Sequence, residues 1–501
     1  MTQAVTVGDV FAFPLPSSAD HGVCQVLAVA DAGDVVVAAL DWRGAGVPAL
    51  DQLVPTRRLI RDFMFWRPEE LRHHVSLPVP ADYQLLGNLP VAGDTDSRSY
   101  GDWSFGYALQ RQRWWNALPT ELTTRFKAAI DSDEPMVTAG LIDPDTGEPQ
   151  IGRVGSTDRF SDRFRYRLAD DFTMASLASW PLLNKVTLHT WRDDLVPFLA
   201  DSPLVGTLEL TGHGQSTLDL STTQLTELTV ELAGLEYLQL PDQVRTLTLQ
   251  GVASGPIRVQ ANGGGAAISL HLDGAVPQLT GLERLRELRL RQLADLDLAA
   301  IVGRFPGLRE LRLWGAPGLL HGLEELTGLS ELNDVWMFEL FGYDDFPGPR
   351  ELPAVDHLWL ESLPAQAAAA IKRKYRGSGV ELRIRKPRKP DWLEENLENP
   401  LRSWDGREGI PAAAAKRALL AYITALKQVR AAEAESEPGR SGAITDAIST
   451  LLGVIQQLNA KHHFLDTLER DEVVVAVRPL MERLGRDAQA ALEPVLEEAL
   501  D

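Results

Sequence analysis

The chain has 501 residues, 44% of them hydrophobic and 24% charged, and carries a formal net charge of −21 at pH 7. That length leaves room for more than one folding unit and a sizeable core; the acidic balance argues against general nucleic-acid binding and favours solubility or basic partners. Cys24 is the only cysteine, which excludes an intramolecular disulfide, and no apolar run approaches the roughly 20 residues of a membrane-spanning helix.

The opening residues lack the basic start and long apolar core of a secretory signal, so a reducing cytoplasm is the expected compartment. Residues 5–54 read as an all-β unit. Val5 to Leu15 alternates, Val23 to Val29 follows a polar turn, and Asp34 to Trp42 gives a third strand after the turn Asp31-Ala32-Gly33. Short strands with tight turns predict a small barrel-like domain. Gly8-Asp9-Val10-Phe11-Ala12-Phe13-Pro14-Leu15, with Gly22 and Gln25-Val26-Leu27, resembles the start of immunity-protein family twenty-six of bacterial polymorphic toxin systems. The resemblance covers only the start of the chain and implies a non-enzymatic domain that binds a toxin.

Residues 55–180 form a mixed α+β region. Trp103, Trp114 and Trp115 mark an aromatic segment, and Thr120 is placed to N-cap a helix through Phe126. Met136 to Ile142, the turn Asp143-Pro144-Asp145-Thr146-Gly147 and Gln150 to Val154 predict a hairpin. A calcium loop is rejected because Val154 stands where a bidentate glutamate is required.

From 181 to 386 one pattern dominates, an apolar pair separated by a single variable residue. Leu288/Leu290, Leu311/Leu313, Val335/Met337, Leu358/Leu360 and Leu382/Ile384 step by 23, 24, 23 and 24 positions, and Leu285, Leu308, Leu332 and Val355 complete L-x-x-L-x-L. This resembles a leucine-rich repeat, with a short strand and a return segment every 20–29 residues or so. The expected fold is α+β, a solenoid of parallel strands with short helices or 3-10 turns. Earlier pairs, at 208, 218, 228, 238 and 247, come twice as often and predict β-like segments on both sides of each coil. Ala261-Asn262-Gly263-Gly264-Gly265-Ala266 interrupts the series; without a following Gly-Lys-Ser/Thr it reads as a bend, not a phosphate loop.

Residues 387–501 predict a helical bundle. Pro411 sits where a helix begins, and Leu419, Tyr422, Ile423, Leu426 and Val429 recur at helical spacing. Glu435 to Gly442 reads as a linker, Ile444 to Leu458 marks a second helix, and shorter helices are expected over 471–484 and 487–500. Asn399-Pro400-Leu401-Arg402-Ser403-Trp404-Asp405-Gly406-Arg407-Glu408-Gly409-Ile410-Pro411 is similar to the tails of actinobacterial repeat proteins named for gliding motility.

No catalytic pattern appears. The G-x-S-x-G elbow is absent, and His73-His74 and His462-His463 lack the spacing of a zinc helix. His462 with Asp466 reads as a surface pair, not a metal site. The expectation is therefore a protein without catalytic residues, metal or cofactor. The basic run Lys372 to Arg376 with Arg383, Arg385, Lys386, Arg388 and Lys389 reads as the solvated end of the repeats, docking an acidic part of the helical region.

Strand alternation turns the variable residues outward. It nominates Arg289, Arg291, Arg312, Trp314, Trp336, Phe338, His357, Trp359, Arg383 and Arg385 as one partner-binding strip, while earlier copies offer Glu209, Glu227, Thr229, Glu231, Tyr237, Gln239, Thr246 and Thr248. Trp and Arg dominate binding hot spots. Non-covalent protein recognition on the concave face follows, either as an immunity protein that neutralises a toxin or as a scaffold linked to polarity or motility. A hydrolase in residues 55–180 is the third reading. The competing structural explanation is that another part of the chain covers the strip.

Overall fold

A computed structural model describes residues 5–15, 20–30, 34–44, 46–54, 56–80, 82–163, 166–434 and 439–500. The turn Asp31-Ala32-Gly33 and Glu435–Pro438 of the expected linker lie outside them, and Gly439 to Gly442 are already helical. The chain is mixed α and β, with antiparallel strands first, parallel strands next and helices last. It divides into two compact units, one holding 1–272 with 276–288 and 304–308, the other 273–275, 289–303 and 309–501.

The first unit opens on β1 (Asp9–Pro14), β2 (His21–Val29), β3 (Asp34–Leu40), β4 (Arg72–Ser76) and β5 (Gln84–Asn88), paired antiparallel in the order β4-β3-β2-β1-β5. Two of the five strands thus come from beyond residue 54. The expected barrel is an open sheet instead. A barrel has one interior, whereas these strands bury both faces: Phe11, Phe13, Val26, Val35 and Val37 share a core with Trp103, Phe105 and Leu109, and Val10, Val23 and Leu40 pack with Leu53 on another. Near-continuous apolar runs are the sequence mark of a sheet covered on both sides.

Next come α1 (Phe105–Ala117) and α2 (Thr120–Ala129), where Pro119, not Thr120, holds the N-cap position. The hairpin pairs β6 (Pro135–Ile142) with β7 (Pro149–Arg153). Asp143 makes its turn by accepting from the N–H groups of Asp145 and Thr146, the ordinary Asx device.

Parallel pairing begins with β8 (Arg159–Ser161), ahead of residue 181. After β9 (Arg167–Leu168) come β10 (Lys185–Leu188), β11 (Thr207–Leu210), β12 (Thr217–Asp219), β13 (Glu227–Glu231), β14 (Tyr237–Gln239), β15 (Thr246–Gln250), β16 (Ile257–Gln260), β17 (Ser269–Asp273) and β18 (Leu279–Thr280). Strands β8, β10, β11, β13, β15 and β17 pair in register in one parallel sheet, and β12, β14, β16 and β18 in another. Tyr237 and Gln239 therefore leave the face that carries Glu209 and Thr229. Successive apolar pairs, about ten residues apart, thus go alternately to the two sheets.

Next come β19 (Glu287–Asp297), of which all but the first two residues belong to the second unit, and then β20 (Glu310–His321), β21 (Asp334–Phe341), β22 (His357–Glu361) and β23 (Glu381–Arg385), side by side in the second unit. Leu311, Leu313, Val335, Met337, Leu358 and Leu360 are buried, as are Leu308, Leu332 and Val355 three positions ahead of each pair. At about 2 kcal/mol for each buried aliphatic side chain, these rows are the main cohesive term of the sheet. The longer return segments carry the 3-10 turn Leu323–Gly328 and α3 (Ala365–Lys374).

Four long helices close the chain: α4 (Ala412–Ala432), α5 (Gly439–His462), α6 (Thr467–Met481) and α7 (Arg486–Leu500). Pro411 N-caps α4, as its fixed φ suits a helix start. Ala414, Ala418, Ala425 and Val429 on α4 share a core with Ile444, Ile448, Leu451 and Ile455 on α5; small residues on one helix let the two backbones approach.

Candidate functional site

The strip is built by three parallel pairings in the second unit. Glu310, Asp334, His357 and Glu381 occupy one register row; Arg312, Trp336, Trp359 and Arg383 the next; Phe338 faces Trp314 on one side and Glu361 on the other, and Glu361 faces Arg385. Neighbours within a row are about 4.8 Å apart along the sheet, so side chains of this size must touch.

They touch as aromatic and cation–π contacts, stacked, tilted or edge-on. Trp336 and Trp359 have ring centroids 4.7 Å apart, Phe338 lies 5.3 Å from Trp359, and Trp314 stacks on Phe338 at 5.6 Å. The Arg312 guanidinium sits 4.3 Å over Trp336, and those of Arg383 and Arg385 lie 5.8 and 5.5 Å from the Trp359 ring. Each such contact is worth about 0.5–2 kcal/mol, more as water is excluded. The row thus reads cation, aromatic, aromatic, cation.

The carboxylates hold the arginines. Arg312 Nη2 donates to Glu310 Oε2 at 2.9 Å and to Asp334 Oδ2 at 3.4 Å, while Arg383 Nη2 lies 2.5 Å from Glu381 Oε1. Trp336 Nε1 donates to Asp334 Oδ1 at 2.7 Å. The matching Nε1 of Trp359 is buried with no acceptor among the described residues; the residue two positions earlier is His357 where Trp336 has an aspartate. An open cavity of about 390 Å³ is lined by Asp334, Trp336, His357, Leu358, Trp359, Glu381 and Arg383.

All ten nominated residues lie on β19 to β23. Trp314, Trp336, Phe338 and Trp359 are half-buried, and Arg291, His357, Arg383 and Arg385 are exposed. Arg291 Nε is engaged with Asp273 Oδ1 at 3.1 Å, and Arg289 is half-buried on the same strand. Sequence reasoning missed the carboxylate row. The signal was present, because the alternation that turns Arg312 and Trp336 outward does the same for Glu310, Asp334 and Glu381, one place before each apolar pair.

At the strip's margin Arg402 Nε donates to Glu339 Oε2 at 3.0 Å, the residue after Phe338. This belongs to a clasp formed by the stretch 399–407. Asn399 accepts from Leu401 N and donates to Leu419 O; Asp405 pairs with the buried Arg388; Trp404 Nε1 donates to Glu472 Oε2 at 2.8 Å. Arg407 reaches Glu469 Oε1 at 2.9 Å and Glu472 Oε1 at 2.6 Å. Burial opposes its charge, but the two carboxylates outweigh burial and raise its pKa. Of the basic run, Arg388 meets the loop before the helices, whereas Lys374 turns to Asp345 and Lys386 to Glu361.

In the first unit the outward row runs Thr187, Glu209, Thr229, Thr248 and His271. Burial works to raise the Glu209 carboxyl, but hydrogen bonds from Lys185 at 2.6 Å and Thr187 at 3.0 Å hold it below the usual range. Met64, Trp66, Tyr107 and Arg111 share a cavity with Thr207, Thr226 and Glu227, so earlier segments border the start of this face.

His189 Nδ1 lies 2.6 Å from Asp162 Oδ1, a pairing invisible in sequence, and no nucleophile hydrogen-bonds His189 among the described residues. His73 stacks on Phe105 and His74 on Tyr100, while Asp466 caps α6 by accepting from Thr467 N at 2.8 Å. Among the described residues no group of three or more His, Cys, Asp or Glu is placed to hold a metal ion, and no helix is long and apolar enough to cross a membrane. No protein-family model matches the sequence, and comparison with curated proteins finds no similar one.

Proposed function

We propose that residues 181–386 form a leucine-rich repeat solenoid whose outward strip binds a protein partner by non-covalent contact, in the cytoplasm. The observation that carries this reading is the single register row Arg312, Trp336, Trp359, Arg383, with its aromatic rings left partly open. Large rigid aromatics flanked by arginines supply binding energy at low entropic cost, and exposing them without a partner wastes that energy. The binding is recognition rather than catalysis.

The opening of the chain resembles an immunity domain, which makes a secreted toxin the first partner class to test. The reading predicts a gene for a secreted toxin beside this one, and co-expression with its product should rescue growth and yield a complex. Trp336→Ala with Trp359→Ala should abolish both while the melting temperature stays within a few degrees. Rescue that survives the double substitution, or a substitution that only lowers thermal stability, would show that the rings serve packing alone.

A further inference from the structure

Building on the strip as a recognition face, we infer that its partner presents an arginine-bearing basic segment to the open cavity lined by Asp334, Trp336, Trp359 and Glu381. The protein's own Arg312 displays the chemistry. Its guanidinium lies over Trp336 at 4.3 Å while Glu310 and Asp334 neutralise it at 2.9 and 3.4 Å. Arg383 repeats this on the far flank, 5.8 Å from Trp359 and 2.5 Å from Glu381. Two internal guanidiniums therefore bracket the aromatic pair, and the cavity of about 390 Å³ is lined by both rings and by Arg383.

Charge selects the occupant. The cavity is lined by the carboxylates of Asp334 and Glu381 and the guanidinium of Arg383; Arg312 reaches Asp334 from outside it, and His357 Nε2 lies 3.4 Å from Glu381 Oε2. An acidic segment would meet a row of carboxylates and a chain of net charge −21, both repulsive. An apolar segment would take the charged Asp334 and Glu381 out of water without filling the lone pairs that Trp336, Arg312 and Arg383 leave open, which costs free energy. A guanidinium satisfies both constraints, because it stacks flat on indole and donates in its own plane to carboxylates; the compact lysine ammonium does the first poorly.

Fluorescence anisotropy of the full chain with short labelled peptides of alternating Arg and Leu, against Lys–Leu and Glu–Leu counterparts, tests this. The Arg peptide should bind tightest and the Glu peptide not at all. Trp359→Leu and Glu381→Gln should each weaken the Arg peptide about tenfold, while Glu121→Gln, the same charge loss on the exposed face of α2, should change nothing. Equal affinity for wild type, Trp359→Leu and Glu381→Gln would mean general acidity holds the peptide, and the inference falls while the recognition reading stands. Binding of the Glu peptide that Trp359→Leu removes would also overturn the basic partner yet support the strip. If no peptide binds and the substitutions only lower the melting temperature, both readings fail. Glu381 is half-exposed and outside the core, so its variant remains readable should Trp359→Leu unfold.

Discussion

Single residues decide how the strip is held. The orphan Nε1 of Trp359 arises because β22 carries His357 where β21 carries Asp334. Leaving a buried donor unmade costs about 1–3 kcal/mol. His357→Asn supplies an acceptor without adding a charge between Asp334 and Glu381, so it should raise stability by about 0.5–1 kcal/mol in urea unfolding; a loss would mean the asparagine cannot reach the ring. Arg407 argues in the other direction. Replacing it with Leu strands Glu469 and Glu472, whose side chains are only 11% and 23% exposed. A fully buried ion pair broken from one side costs about 3–5 kcal/mol, and partial exposure here reduces the expected loss to about 2–3 kcal/mol. Glu472→Gln, which keeps a hydrogen-bonding group for Trp404, should cost about half as much. A change below about 0.5 kcal/mol for Arg407→Leu would sink the clasp as a stabilising element.

Elements show where local pattern suffices and where it stops. The steps of 23 and 24 residues translate directly into parallel register, because period and alternation are local properties that each repeat states for itself. Partner choice is not local. Glu472 and Glu469 lie 62–69 residues from the Ser403, Trp404 and Arg407 they hold, so the segment 399–411 could be picked out as a unit without its bonds being visible. The same limit applies to β4 and β5, whose half-polar sequences carry no marked alternation and become strands by pairing with β3 and β1. The β domain also carries a pH test. Burial, then Arg61, hold the His73 pKa below its ordinary 6.5, with Asp102 and Glu69 opposing. A depressed histidine favours the neutral fold, so stability is full above the unfolded value and is lost as pH falls through the window beneath about 6.5. His73→Phe keeps the stack on Phe105 and removes the proton site. Unfolding free energy measured across that window should fall in the wild type and flatten in the variant; parallel curves would assign the pH dependence to other groups.

At the scale of the whole molecule, charge and strip act on different steps of binding. The net charge of −21 sets a long-range field that would gather the proposed basic partner, whereas the Trp336 and Trp359 ring pair would act only on contact. Long-range fields govern encounter, and salt removes them: the screening length falls from about 30 Å at 0.01 M to about 3 Å at 1 M. Contacts in a partly dehydrated groove are screened far less. Stopped-flow measurement with the Arg–Leu peptide should therefore show an association rate that falls about tenfold or more across this range. Dissociation should move much less with salt, but speed up about tenfold in Trp359→Leu, where lost contact energy appears chiefly in the off-rate. If salt instead accelerates dissociation and Trp359→Leu slows association, the acidic surface would be the binding site and the aromatic row a bystander.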